Sequence, residues 1–243
     1  MARLRYPGNK YAAFHLLFCR WLRLYSQATP YRYVTLGGTE LRDVRSLQFV
    51  DAALLGPSVS FEQNQDRLNL ATATAQALQA EGVNIQVQEG DLFTTFVRQN
   101  DIPHIFFIDL LGMCAFGNRA ERFGEMFQTE AIRENDCLLI TSFLPPRVGW
   151  PRVYEVYDGE FLSLGAATVA EKKESYTRLH PSFTLYRALR DVDLLDTLAL
   201  RCFGGIKYLS KSPMGVFGYV VSPGATQFAD LVNNIPWHLA TYG

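Results

Sequence analysis

The chain has 243 residues, of which 48% are hydrophobic and 19% charged, and a formal net charge of −1. That make-up fills and covers a core, so a disordered, low-complexity or collagen-like chain is excluded, and the length suits one large domain or one domain with an insertion. No apolar run approaches the roughly 18–20 residues that cross a bilayer, and the opening MARLRYPGNK lacks the apolar segment of a secretory signal.

Residues 1–9 read as a basic extended lead-in closed by the turn signal Pro7-Gly8-Asn9. Lys10 to Tyr25 is expected to be a helix, since Phe14, Leu17, Phe18, Trp21, Leu22 and Tyr25 recur on one face. Pro30 breaks the chain, and Tyr33 to Leu36 is a short strand stopped by Gly37-Gly38. Thr39 is the expected cap of a helix from Glu40 to about Leu55. Val59 to Phe61 is a second strand, ending at Glu62, and an alanine-rich helix of about Gln65 to Ala80 follows.

From Val83 to Gly112 the chain reads as a strand, a tight acidic turn, a short helix and a second strand. Ile85 and Val87 alternate with Gln86 and Gln88, the period of a strand. Gly90-Asp91 ends it, and Phe93, Phe96 and Val97 form a short apolar stripe at helical spacing. Ile105 to Ile108 is an unbroken apolar run, as in a parallel strand buried on both faces, and it ends in Asp109. A helix is expected from about Arg119 to Arg133, then a buried strand from Cys137 to Ser142. Residues 146–197 carry aromatics, mixed charge and an expected pair of helices broken at Pro181; that length exceeds a simple connection, so it reads as an insertion. Ala199 to Leu209 and Val216 to Val221 are so closely joined that they form an antiparallel hairpin. Trp237 and Tyr242 in the tail are read as covering the sheet. Strands alternating with helices predict a three-layer α/β fold with a mostly parallel sheet.

The chemistry gathers at the strand ends. Gly37-Gly38 follows the first strand, Glu62 the second, Gly90-Asp91 the third, and Asp109 closes the fourth. In open α/β sheets ligands bind in the crevice outside those carboxyl ends, so Asp91 and Asp109 are expected to face one crevice. A glycine turn lets a ligand approach the backbone near a helix amino terminus, and an acid after the second strand can accept from both hydroxyls of a ribose. A nucleoside-containing cofactor fits that set, although the G-x-G-x-x-G fingerprint of dinucleotide sites is absent. The four cysteines (Cys19, Cys114, Cys137, Cys202) and four histidines (His15, His104, His180, His238) are dispersed, so no metal site is expected. Thiols so spaced suit a reducing, cytoplasmic setting.

In order and spacing, roughly Tyr6 to Val221 resembles the Rossmann-like S-adenosylmethionine-dependent methyltransferases. The resemblance implies that S-adenosylmethionine is the cofactor, with Gly37 and Gly38 near it, Glu62 on its ribose and Asp91 with Leu92 at its adenine. It places Asp109, in Asp109-Leu110-Leu111-Gly112, as the substrate-facing catalytic acid. Tyr6-Pro7-Gly8-Asn9-Lys10 is similar to the amino-terminal segment that in adenine-DNA methyltransferases approaches the methionine end of the cofactor, which adds Gly8 and Lys10 to the cofactor-binding set. The closing hairpin is similar to the family's reversed last strand and is not typical of nicotinamide enzymes.

Two stretches depart from the family pattern. Thr35-Leu36-Gly37-Gly38-Thr39-Glu40 stands where E/D-x-G-x-G is usual, and DLLG stands where enzymes acting on base amines carry Asn/Asp-Pro-Pro-Tyr/Phe. A non-catalytic binding protein on the same fold and an NAD-dependent oxidoreductase therefore remain alternatives. The expected acceptor is a nucleic acid, RNA or DNA. Residues 1–45 carry a net charge of +6 and the rest −7. Within that opening, Arg3, Arg5, Lys10, Arg20 and Arg23 interleave with Tyr6, Tyr11 and Trp21, and Lys172, Lys173 and Arg178 are expected to help from the insertion.

Overall fold

The computed structural model describes residues 8–25, 30–36, 38–51, 58–110, 118–143, 149–209, 213–232 and 237–239. The readings made above for Arg3, Arg5, Tyr6-Pro7, Gly37, Leu111-Gly112, Cys114 and Tyr242 fall outside those residues. The strands are β1 (Arg32–Thr35), β2 (Ser58–Glu62), β3 (Ile85–Glu89), β4 (His104–Asp109), β5 (Cys137–Phe143), β6 (Leu198–Leu209), β7 (Pro213–Pro223) and β8 (Trp237–Leu239). The helices are α1 (Gly8–Tyr25), α2 (Arg42–Asp51), α3 (Gln65–Ala80), α4 (Leu92–Thr95), α5 (Arg119–Gln128), α6 (Trp150–Val156), α7 (Asp158–Ser163), α8 (Val169–Asp191) and α9 (Phe228–Val232).

All the described strands join one sheet in the order β3-β2-β1-β4-β5-β7-β6-β8. β1 to β5 run parallel, and β7 enters antiparallel between β5 and β6. Parallel neighbours need crossovers, and α2 to α5 supply them; β6 and β7 pair as the expected antiparallel hairpin. β4 and β5 are continuous apolar runs because both faces are covered. Tyr33, Ile105, Phe107 and Leu139 pack on one face with Phe14, Leu17, Phe18 and Trp21 of α1 and with Leu47 of α2. Val34, Phe106, Ile108 and Ile140 pack on the other with α5, α8 and α9.

Several local expectations are corrected. α2 begins at Arg42 rather than Glu40, because residues 38–40 form a turn and Leu41 has φ +45, so Thr39 does not cap it. α4 stops at Thr95, and Val97, read as part of its apolar stripe, is 74% exposed. α5 ends at Gln128, five residues early, after which the chain turns through Glu130 at φ +56. Pro181 does not break α8: the helix runs through it, since the surrounding turn from Leu179 to Leu185 is buried on every side. Tertiary packing there outweighs the missing N–H of the proline. The tail forms an edge strand, β8, parallel to β6, which its short sequence did not announce.

Candidate active site

The ends of β1, β2, β3 and β4 open onto a cleft of about 820 Å³. Lys10, Leu36, Gly38, Glu62, Asp91 and Asp109 line it together with Phe61, Phe93, Arg67, Arg119 and Arg122. Asp91 and Asp109 thus share one crevice, as the alternation of strands and helices predicts. Gly38, at φ +61, turns the chain after β1 into a conformation that favours glycine, and a side chain there would meet open space.

Each acid is held differently. Glu62, the last residue of β2, accepts the backbone N–H of Asn64 at 3.0 Å. Asn64 in turn caps α3 through the N–H of Arg67, so the strand-to-helix turn presents the Glu62 carboxylate to the cleft. Asp91 caps α4, accepting from the N–H of Phe93 at 3.1 Å, and its second oxygen accepts from Arg122 at 2.6 Å. The guanidinium groups of Arg119 and Arg122 lie 5.6 and 5.9 Å from the centroid of the Phe93 ring. Asp109 accepts from the ammonium of Lys10 on one oxygen and from the hydroxyl of Thr141 on the other. Lys10 and Asp109 keep side-chain exposures of 12% and 15%, enough to meet a ligand.

Gly8 opens α1, two residues ahead of Lys10. Leu92 starts α4 with its side chain fully buried and does not line the cleft, whose walls there are Gly90, Asp91 and Phe93; the N–H at a first helical position has no intrahelical acceptor. Gly37 lies outside the described residues. Thr141, Arg119 and Arg122 were not anticipated. Thr141 meets Asp109 only because β4 and β5 pair in the register Asp109↔Thr141, and that register is not readable from one strand. Of the insertion's expected cations, Lys172 pairs with Asp158 at 2.7 Å and Arg178 with Glu174 at 3.8 Å, while Lys173 stands 5.6 Å over the Trp150 ring.

A second hollow, of about 760 Å³, lies between the 96–101 segment and the end of α5. Beside it the Arg98 guanidinium pairs with buried Asp136 and bonds His104 Nδ1 at 2.7 Å. Asp136 also accepts from the backbone of His104 and of Arg133. This network closes the amino-terminal end of β4, opposite the strand-end acids, and reads as structural. No group of potential metal ligands occurs among the described residues, and none of their helices is long and apolar enough to cross a membrane.

The strand order 3-2-1-4-5-7-6 with a reversed β7, and a cleft across the ends of β1 to β4, define the fold of the Rossmann-like, class I S-adenosylmethionine-dependent methyltransferases. Among solved structures, the chain is similar to a putative class I methyltransferase of Listeria monocytogenes, with a TM-score of 0.51 and 9% identity over 93% of this chain and 62% of that one. It is also similar to the magnesium protoporphyrin IX methyltransferase of Synechocystis PCC 6803, at a TM-score of 0.48 and 12% identity over 88% of this chain and 83% of that one. This chain thus spans less than two thirds of the Listeria protein. No protein-family model matches the chain, and no curated protein matches it in sequence.

Proposed function

We propose that this protein is an S-adenosylmethionine-dependent methyltransferase whose acceptor is a nucleic acid. The observation that carries the reading is the convergence of Glu62, Asp91, Asp109 and Lys10 on one cleft at the strand ends. The donor set fits an adenosyl amino acid. Glu62 accepts from a ribose diol, Asp91 and the Leu92 N–H meet the adenine edge, Phe61 and Phe93 offer apolar walls to a purine, and Lys10 answers a carboxylate. When bound, the cofactor supplies an electrophilic methyl group on a sulfonium. Asp109, at the end of β4, orients the acceptor amine and takes its proton, and Thr141 fixes the carboxylate for that task. The nucleic-acid acceptor is supported by the +6 charge of residues 1–45 and by Arg67 and Arg119 at the cleft wall.

A second reading, a non-catalytic binding protein, is favoured by one observation: Asp91 and Asp109 are already paired with Arg122 and Lys10. Calorimetry separates the two. S-adenosylmethionine or S-adenosylhomocysteine is expected to bind and NAD to be refused. Glu62→Ala should weaken binding by about 1.5–3 kcal/mol, the worth of a hydrogen bond to a charged group. No binding of the unmutated protein at millimolar ligand leaves the second reading, and NAD binding alone points to an oxidoreductase. Labelled RNA and DNA, titrated at low and physiological salt, then test the acceptor. Binding through phosphates weakens steeply with salt, and Arg3→Ala with Arg5→Ala should weaken it further.

A further inference from the structure

The amino-terminal end of the sheet brings buried polar residues of neighbouring strands side by side. Arg32 of β1 and His104 of β4 are register partners, and strand alternation puts both on the face that carries Val34 and Phe106. On the other side of His104, Asp136 stands just before Cys137 of β5, the partner of Ile105, and accepts from the His104 backbone.

These groups are unevenly satisfied. Arg98 pairs with Asp136 and Arg133 with Asp101, so those charges balance. Arg32 is left over. It is 7% exposed, its side chain bonds only the amide oxygen of Gln99 at 3.3 Å, and no acid pairs with it among the described residues. Its Nε has no protein acceptor. Burial and the charge of Arg98 hold the His104 pKa down to about 3, so its ring is neutral. A guanidinium only donates, so the bond from Arg98 makes Nδ1 the acceptor and leaves the proton on Nε2. That N–H has no protein acceptor either.

Two buried donors on adjacent strands, one of them carrying an uncompensated charge, call for an anion. Gln99 bonds Arg32 through Nη1, so the parallel donors Nε and Nη2 stay available, and such a pair matches a carboxylate. The exposed side chain of Gln99 lines the hollow of about 760 Å³ beside α5. So does Phe96, whose ring stands edge-on to His104 at 5.6 Å. Arg32 and His104 are therefore one side chain behind the wall of that hollow. Phe96, Val97 and Ala131 make the wall apolar, and Val97 is 74% exposed. Two acids, Glu125 and Glu130, stand exposed at the α5 rim, where solvent screens them.

We propose that Arg32 and His104 form the head of a binding site for a small carboxylic acid. Its carboxylate takes Nε of Arg32 and the Nε2–H of His104, and its apolar body lies in the hollow against Phe96 and Val97, with Gln99 swung aside. This site is at the end of the sheet opposite the strand-end acids, so it stands or falls separately from the reading of the cleft.

Sodium benzoate serves as the probe and benzamide, its neutral counterpart, as the control. Benzoate should raise the unfolding temperature of the wild type saturably, and benzamide should not. In calorimetry, Arg32→Met should cut benzoate affinity at least about tenfold, as expected for hydrogen bonds to a charged group. Should that variant fail to fold, Arg32→Lys keeps the charge without the fork and should weaken binding as well. A crystal grown with a bromobenzoate should show the anomalous signal of bromine in the hollow and the carboxylate on Arg32. No benzoate binding, equal binding of benzoate and benzamide, or affinity unchanged by substitution of Arg32 overturns the proposal. So does a structure in which a water bridges Arg32 and His104 and the bromine lies elsewhere.

Discussion

Thr141 and Asp109 face each other as register partners at the carboxyl ends of two neighbouring parallel strands, and the threonine hydroxyl donates to the carboxylate. The sheet itself therefore fixes the direction of the acid, while Lys10, from the helix above, takes its other oxygen.

If Asp109 serves the acceptor, Asp109→Asn should abolish methyl transfer and leave cofactor affinity within a few-fold. Thr141→Val keeps the charge and loses one hydrogen bond to it, worth about 1.5–3 kcal/mol, so kcat should fall at least about tenfold with cofactor affinity unchanged. Calorimetry beside a single-turnover assay checks both. Loss of binding in parallel with loss of rate would make Asp109 part of the cofactor site instead.

The fold was legible because its signals are local. The apolar run ending at Asp109, the alternation from Ile85 to Gln88 and the alanine-rich helix at 65–80 each declare their own state, and the closely joined pair of last strands declares itself antiparallel. The strand-end acids were legible for the same reason: each ends an apolar stretch. What escaped depends on partners distant in sequence. Thr141 meets Asp109 through strand register, Arg122 reaches Asp91 from a helix 31 residues away, and Pro181 survives inside α8 because its neighbours are buried. No single stretch carries that information. β8 escaped because a three-residue edge strand has no period of its own.

Gly90 sets the angle at which Asp91 enters the cleft. Its φ is +135, and an added Cβ would stand 2.3 Å from the hydroxyl oxygen of Thr95. Gly90→Ala therefore combines backbone strain with overpacking, each costing about 1–3 kcal/mol. The expected outcome is lower stability in urea, with weaker S-adenosylmethionine binding as Asp91 shifts. Adding Thr95→Ala should recover part of the loss, because it shortens the clashing side chain and leaves the φ strain in place. A Gly90→Ala protein as stable as the wild type would mean that the turn yields freely.

His180 gives the fold an acid-sensitive point on the face of β5 opposite Thr141. It is fully buried in α8, bonded through Nε2 to the hydroxyl of Ser142 on β5, and burial holds its pKa down to about 3. An unfolded histidine titrates near about 6.5, so below that pH the unfolded chain binds a proton that the folded chain refuses. The stabilising share of a neutral His180 is thus complete above about pH 6.5 and is lost, at about 1.4 kcal/mol per pH unit, as the pH falls toward 3. Asp136 and Asp43, both raised by burial, act in the opposite sense, since protonation favours their buried forms. Absolute stability therefore mixes signs, and the informative quantity is the difference between wild type and His180→Asn, in which the other groups cancel. Urea unfolding at about pH 7.5, 6 and 5 should show the wild-type advantage shrinking with the slope given above. A difference that stays constant across that range would mean that His180 is charged in the folded protein or reached by water, and the buried Ser142–His180 contact would then have to be redrawn.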